Sequence, residues 1–259
     1  MLTSKFRPPQ PTMASFVETH VLPQKVSVET SSNDSLPSVN QEFFPMSIVE
    51  TVPQKVSAFV ETSSNDYVTG PGGDLKFFKV WHENFLPKGE DCGFKHFLES
   101  CDAVVMGRKT FDTVVGMKSW WYADKPVFVL THRDFRLPEK LAGKANVRPL
   151  CGTPQEVLSI LSILMIHIIH SILSTHDTHN THDTYLEPYR AIYVEGSNVI
   201  KQFMDNKLLQ DITVTRVPEE VKGGTRLMSE KHKASLFPLS TKKFGTAFTQ
   251  THYLVNVNI

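Results

Sequence analysis

Lysine plus arginine and aspartate plus glutamate number 27 each in this 259-residue chain, so no overall field favours a polyanion and any anion site must be built locally. With 40% hydrophobic and 21% charged residues the chain can bury a sizeable core, and bulk nucleic-acid binding is excluded as its main role. The three cysteines, Cys92, Cys101 and Cys151, show no C-x-x-C spacing, which excludes a disulfide framework and a zinc knuckle and fits a reducing, cytoplasmic setting.

At the N-terminal end, Lys5 and Arg7 are followed by Pro8, Pro9 and Pro11 rather than a long apolar run, so a secretory signal is not expected. An imperfect repeat follows: Pro23-Gln24-Lys25-Val26-Ser27 recurs as Pro53-Gln54-Lys55-Val56-Ser57, and both copies run on to Glu-Thr-Ser-Ser-Asn-Asp. The second copy carries the extra pair Ala58-Phe59 that lengthens it into a full buried strand. Residues 1–52 are therefore read as a largely disordered extension with a partial repeat of the first strand; the rival reading makes the first copy an extra edge strand.

The domain itself spans 53–255. Periodicity predicts a strand at Val56 to Thr62, a helix near Gly93 to Ser100, and strands at Ala103 to Met106, Pro126 to Thr131 and Val147 to Leu150. A helical pattern begins at Pro154 and runs into Ile160-Leu161-Ser162-Ile163-Leu164, then dissolves into a low-complexity insert at 166–187. Within it His176, His179 and His182 recur every third residue. They invite a metal reading, but the intervening Thr, Asn and Asp suit caps and turns rather than a rigid ligand cage, and no metal is expected. The apolar run before them approaches membrane-spanning length, yet His167 and His170 within it favour an extended helix, so no membrane association is expected. After the insert come a strand at Ala191 to Val194, a helix at Ser197 to Asn206, a strand at Asp211 to Val217, and an alternating segment at Thr246 to Val255 that reads as a hairpin partner.

This order predicts an α/β, three-layer sandwich with a mostly parallel central sheet and an antiparallel C-terminal edge. Ligands of such folds sit outside the carboxyl ends of the strands. Three turns there carry anion-binding chemistry. Gly107, Arg108, Lys109 and Thr110 combine a glycine turn, a helix N-terminus and three side-chain donors. Thr131, His132 and Arg133 follow the next strand, where an arginine can select a 2′-phosphate. Gly196, Ser197, Asn198 and Val199 join a strand end to a helix with small residues, which suits close contact with a pyrophosphate. Together they outline NADPH, whose pyrophosphate and 2′-phosphate need separate sites.

The stretches Glu90-Asp91-Cys92-Gly93-Phe94, Val105-Met106-Gly107-Arg108-Lys109-Thr110-Phe111, Asp124-Lys125-Pro126-Val127-Phe128-Val129-Leu130 and Tyr193-Val194-Glu195-Gly196 resemble the dihydrofolate reductase superfamily. Within it they resemble the reductase domain of the riboflavin-biosynthesis deaminase-reductases, over about residues 53 to 165 and 188 to 255. The resemblance implies a dihydrofolate reductase-like sandwich with NADPH across the strand ends. It implies Gly107 to Thr110 as the adenine-side phosphate loop, Thr131 to Arg133 as the 2′-phosphate contact, Gly196 to Val199 as the pyrophosphate turn, and Thr62 and Thr69 as backbone neighbours of the nicotinamide.

The family commonly has a second glycine where Ser197 stands, Asp-Gly where Asn65-Asp66 stands, and Asp-Trp where Lys76-Phe77 stands. Asp66, in the loop expected to cover the nicotinamide, is the candidate proton-relay residue, and a turn-capping aspartate is its plain alternative. The function expected is NADPH-dependent reduction of a small molecule of the 5-amino-6-(5-phosphoribosylamino)uracil type. Alternatives are a dihydrofolate or pterin reductase and a non-catalytic nucleotide-binding protein, and a homodimer is left open. No deaminase zinc signature accompanies these motifs.

Overall fold

The computed structural model describes residues 53–117, 119–162 and 189–255. The first repeat copy and the 166–187 insert lie outside the described residues, so the readings made of them are not addressed by it. The second repeat copy forms β1 (Lys55–Thr62), followed by β2 (Tyr67–Thr69), α1 (Lys76–Phe85), α2 (Phe94–Glu99), β3 (Ala103–Gly107), α3 (Arg108–Gly116), β4 (Val127–Leu130) and β5 (Val147–Leu150). A helix over 154–162, α4, precedes β6 (Ala191–Glu195), α5 (Ser197–Asp205), β7 (Asp211–Arg216), β8 (Thr225–Arg226), α6 (Glu230–Lys233), β9 (Leu236–Phe244) and β10 (Phe248–Val255).

Eight strands make one sheet in the order β5-β4-β3-β6-β1-β7-β10-β9. The first six are parallel; β10 runs antiparallel to β7, and β9 antiparallel to β10. The expected parallel sheet with an antiparallel C-terminal edge is therefore what the chain forms. Its strands are apolar on both faces because both faces are covered. Along β3, Ala103 and Val105 face the cluster containing Ile200 and Phe203 of α5 and Val157 and Leu161 of α4. Val104 and Met106 face Leu98 of α2 and Phe111 and Val114 of α3. That two-residue alternation places helices above and below the sheet, which gives the three layers.

Five elements were not read from the sequence: α1, β2, β8, α6 and β9. The first is α1, none of whose residues is fully buried; it leans Phe77, Phe78 and Trp81 against Val217 and Phe248. The β2–β8 pair is a second, two-stranded sheet, and β9 is an edge strand exposed along most of its length. Pro238 sits beside the register shift opposite His252 and Tyr253, where a residue without an N–H is tolerated, and Lys242 and Lys243 discourage further pairing at the edge.

Because β6 returns between β3 and β1, the carboxyl ends of β4, β3, β6 and β1 lie side by side. Chain direction reverses its walk across the sheet here, the place where α/β folds open a crevice. Among the described residues, no helix is long and apolar enough to cross a membrane.

Candidate functional site

A cavity of about 750 Å³ opens at this rim, over the sheet face that carries α1, α2 and α3. One end is walled by Lys109 and Thr110 from α3 and by Gly196, Ser197 and Asn198 from the β6–α5 corner. Gly196 is required there. It holds φ +90°, and a Cβ added to it would lie 2.2 Å from Thr110 Oγ1, so the two helix starts touch only because this residue has no side chain. Each helix is nine residues long and presents its first backbone N–H groups at this corner. Lys109 is exposed and has no ion-pair partner among the described residues, so its ammonium is available.

Of the other candidates, Thr69 also lines the cavity, its hydroxyl accepting from Thr225 N at 3.2 Å. Gly107, with an ordinary φ of −76°, packs against Val199; a Cβ on it would meet Val199 Cγ2 at 3.4 Å. Its smallness thus serves the contact between turn and helix, and Val199 itself is core. Arg108 turns away from the cavity: its Nε donates to Asp112 Oδ1 at 2.8 Å, and its guanidinium lies over the Phe135 ring. Thr131, His132 and Arg133 occupy the same rim beyond Arg108 but are not part of the cavity wall. Thr131 Oγ1 accepts from Arg133 N, and His132 Nδ1 is 2.9 Å from Cys151 Sγ. Thr62 ends β1 fully buried, and its hydroxyl has no hydrogen-bond partner among the described residues.

Asp66 lies outside the cavity wall. Its Oδ1 accepts from Arg216 Nη2 at 3.0 Å and its Oδ2 faces Lys233 Nζ at 2.7 Å, which ties the loop after β1 to β7 and α6. The residue holds φ +66°, a conformation that aspartate tolerates better than most residues. Both carboxylate oxygens are thus engaged by cations, and the residue reads as a clasp. Asp66→Asn leaves two partly buried cations facing a neutral amide, and a loss of roughly 3 kcal/mol is expected in urea unfolding.

The opposite end of the cavity was not read from the sequence. Phe59, Phe94, Trp121 and Tyr193 form an aromatic wall, with Phe94 edge-on to Phe59 at 5.5 Å and to Tyr193 at 6.2 Å between centroids. The β1–β6 register, continued from Ser57↔Tyr193, puts Glu195 beside Phe59 on this face. Glu195 is half-buried and lines the cavity. That burial pushes its carboxyl up to about 7, even though the buried Tyr122 hydroxyl donates a hydrogen bond to its Oε2. Two residues further along β1, Glu61 holds His82 of α1, whose Nε2 lies 2.8 and 2.9 Å from the two carboxylate oxygens; that hydrogen bond raises the imidazole above its ordinary value. One clue was in the sequence: an acidic residue closing an apolar strand directly before the glycine corner, a position that desolvates its charge.

No family model and no curated protein matches the chain. Solved structures do. A protein named for riboflavin biosynthesis from Shewanella sp. PV-4 superposes with a TM-score of 0.57 at 24% identity, covering 78% of this chain and 99% of that one. The chain has the dihydrofolate reductase-like fold. A second neighbour is the diaminohydroxyphosphoribosylaminopyrimidine deaminase/5-amino-6-(5-phosphoribosylamino)uracil reductase of Thermotoga maritima, with a TM-score of 0.50 at 14% identity. There the match covers 78% of this chain and 57% of the bifunctional protein's length, so the dihydrofolate reductase-like domain accounts for a little over half of that neighbour. The three-layer architecture, the parallel sheet and its antiparallel C-terminal edge all belong to this fold.

Proposed function

We propose that this protein is an NADPH-dependent reductase of the riboflavin-biosynthesis type, acting on a small molecule held between the Gly196 corner and the aromatic wall. The observation that carries this reading is the corner itself, where two helix starts meet across a glycine that any side chain would fill, in the wall of a cavity of about 750 Å³. The residues present suit the cofactor. The N–H groups opening α3 and α5, with Lys109, Thr110 and Ser197, would hold the pyrophosphate; Arg133, exposed at the same rim, is the candidate for the 2′-phosphate.

Reduced nicotinamide, when bound, supplies the hydride. The chain supplies the rest. The aromatic wall excludes water and presents one face of the substrate ring or its side chain, and Glu195 donates the proton to the atom that becomes electron-rich as hydride adds to its neighbour. Glu195 would place its proton on the heteroatom of a C=O or C=N group whose carbon takes up the hydride, so that the π pair ends on the protonated atom. A carboxyl that still holds its proton near pH 7 suits that role, and solvent returns the proton between turnovers.

The test is NADPH fluorescence titration, then NADPH oxidation with 5-amino-6-(5-phosphoribosylamino)uracil and with its dephosphorylated form. Lys109→Ala is expected to weaken NADPH about tenfold through loss of one charge-assisted contact, whereas Arg108→Ala, whose charge is engaged by Asp112, changes it less than threefold. Absence of NADPH binding by the unaltered protein overturns the proposal.

A further inference from the structure

Beyond the Lys109 corner, the acidic and basic side chains on the cavity wall among the described residues are Glu61, Glu90, Asp91 and Glu195, the last keeping its proton up to about 7, against His82 and Lys95. Glu61 and His82 engage each other and contribute no net positive charge. Lys95 is exposed on α2 with its ammonium directed to Glu99 at 3.9 Å. Among the described residues, that leaves Glu90 and Asp91 on the cavity wall without an ion-pair partner.

Both are held there by backbone N–H groups. Glu90 Oε1 accepts from Cys92 N at 2.7 Å, while Asp91 accepts from Gly93 N and Lys95 N, each at 2.9 Å. Cys92 is fixed in turn, since Gln250 Nε2 donates to its carbonyl at 2.8 Å and its φ is +55°. The two carboxylates therefore cannot swing aside for an anion without undoing the turn that starts α2. No arginine, the side chain whose fork matches phosphate, lines the cavity. Beside these acids stand the rings of Phe94 and Trp121, 6.2 Å apart between centroids, and Trp121 is half-exposed. Aromatic faces flanked by carboxylates favour a flat group that is neutral or cationic and donates N–H hydrogen bonds.

Resting on the reductase reading above, we infer that the substrate reaches this site without a phosphate: it is an N–H-rich ring, neutral or cationic, and the Glu90–Asp91 turn rejects phosphorylated forms. A dianion brought into a half-enclosed cavity already carrying uncompensated carboxylates is repelled by each of them, more strongly at low salt than at high.

The experiment compares 5-amino-6-ribosylaminouracil with its 5-phosphate, both as ligands in calorimetry with and without NADPH and as substrates. The dephosphorylated form is expected to bind at least tenfold more tightly at low salt. The ratio should narrow severalfold in 0.5 M salt and in the Glu90→Gln/Asp91→Asn double variant, whose amide oxygens keep the bond from Cys92 N and one of the two bonds at position 91. Equal or tighter binding of the phosphate by the unaltered protein overturns the inference, as does a ratio that neither salt nor the double variant moves. Failure to bind NADPH strikes the reductase reading instead, because the preference between the two uracils is read without the cofactor as well.

Discussion

Glu195→Gln is expected to lower kcat by about 100-fold or more while leaving the NADPH dissociation constant within about twofold. The amide matches the carboxyl in shape and can still accept the Tyr122 hydroxyl, so the fold and the cofactor corner are untouched. What it cannot do is hand a proton to the substrate. The pH profile separates this from a packing defect. Burial lifts the Glu195 carboxyl to about 7, so with Glu195 as proton donor the parent protein is expected to be most active below that value and to lose rate as pH rises through it, and in the glutamine variant that limb is expected to disappear. Tyr122→Phe shifts the limb the other way from a simple loss. The tyrosine hydrogen bond favours the ionised form, so removing it moves the limb to higher pH. Stability gives an independent reading. Since the folded carboxyl keeps its proton up to about 7 and the unfolded chain releases it near 4.5, its contribution to stability is complete below 4.5 and is lost as pH rises through 7. Glu195→Gln is therefore expected to melt higher than the parent at pH 8 and no higher at pH 5. A kcat that stays within threefold, or a limb that persists near pH 7, removes Glu195 from the proton-donor role.

How much of this was legible in the sequence follows from how local each signal is. The central strands were legible because strands covered on both faces are continuous apolar runs ended by turn residues: Ala103 to Met106 extends by one residue to Gly107, and Val56 to Thr62 begins one residue earlier at Lys55. The α5 helix was legible because Val199, Ile200, Phe203 and Met204 form a single stripe against the sheet. In α1 the apolar residues are aromatic or, at Val80, β-branched, all weak helix formers, and the loop before it is Gly70-Pro71-Gly72-Gly73, so neither propensity nor a side-chain cap announces the helix. Edge strand β9 is solvated on nearly all its positions, which erases the alternation by which strands are recognised.

The same rule divides the site. The Lys109–Thr110 and Gly196–Asn198 corners depend on backbone geometry within four residues of sequence. Which of two adjacent side chains enters the cavity does not, since helical phase turns Arg108 onto Asp112 and Phe135 while Lys109 and Thr110 face inward. The substrate half is assembled at long range. Tyr193 donates to the carbonyl of Phe59 across 134 residues, and Glu61 meets His82 through a helix the sequence did not announce.

Gly196→Ala is the second large effect, and a double-mutant cycle shows what it measures. The added methyl meets Thr110 Oγ1 at 2.2 Å and Thr110 Cβ at 3.3 Å while φ stays at +90°, so both a steric and a backbone cost arise together. NADPH affinity is expected to fall by about 100-fold or more, with a drop in stability of roughly 2–4 kcal/mol from the two costs combined. Thr110→Ala alone removes one hydroxyl donor and should weaken NADPH only about threefold to tenfold. In the double variant the 2.2 Å clash is gone while the conformational cost and the tight 3.3 Å contact with the Cβ of residue 110 remain, so stability should recover by about 1–2 kcal/mol relative to Gly196→Ala. If the corner is the cofactor's seat, the recovered stability is not matched by recovered NADPH affinity, because the relieved corner still carries a methyl where the pyrophosphate must approach and has lost Thr110 as a donor. Affinity that returns in step with stability would show that Gly196 serves helix packing alone, and the anion site would have to be sought elsewhere along the rim.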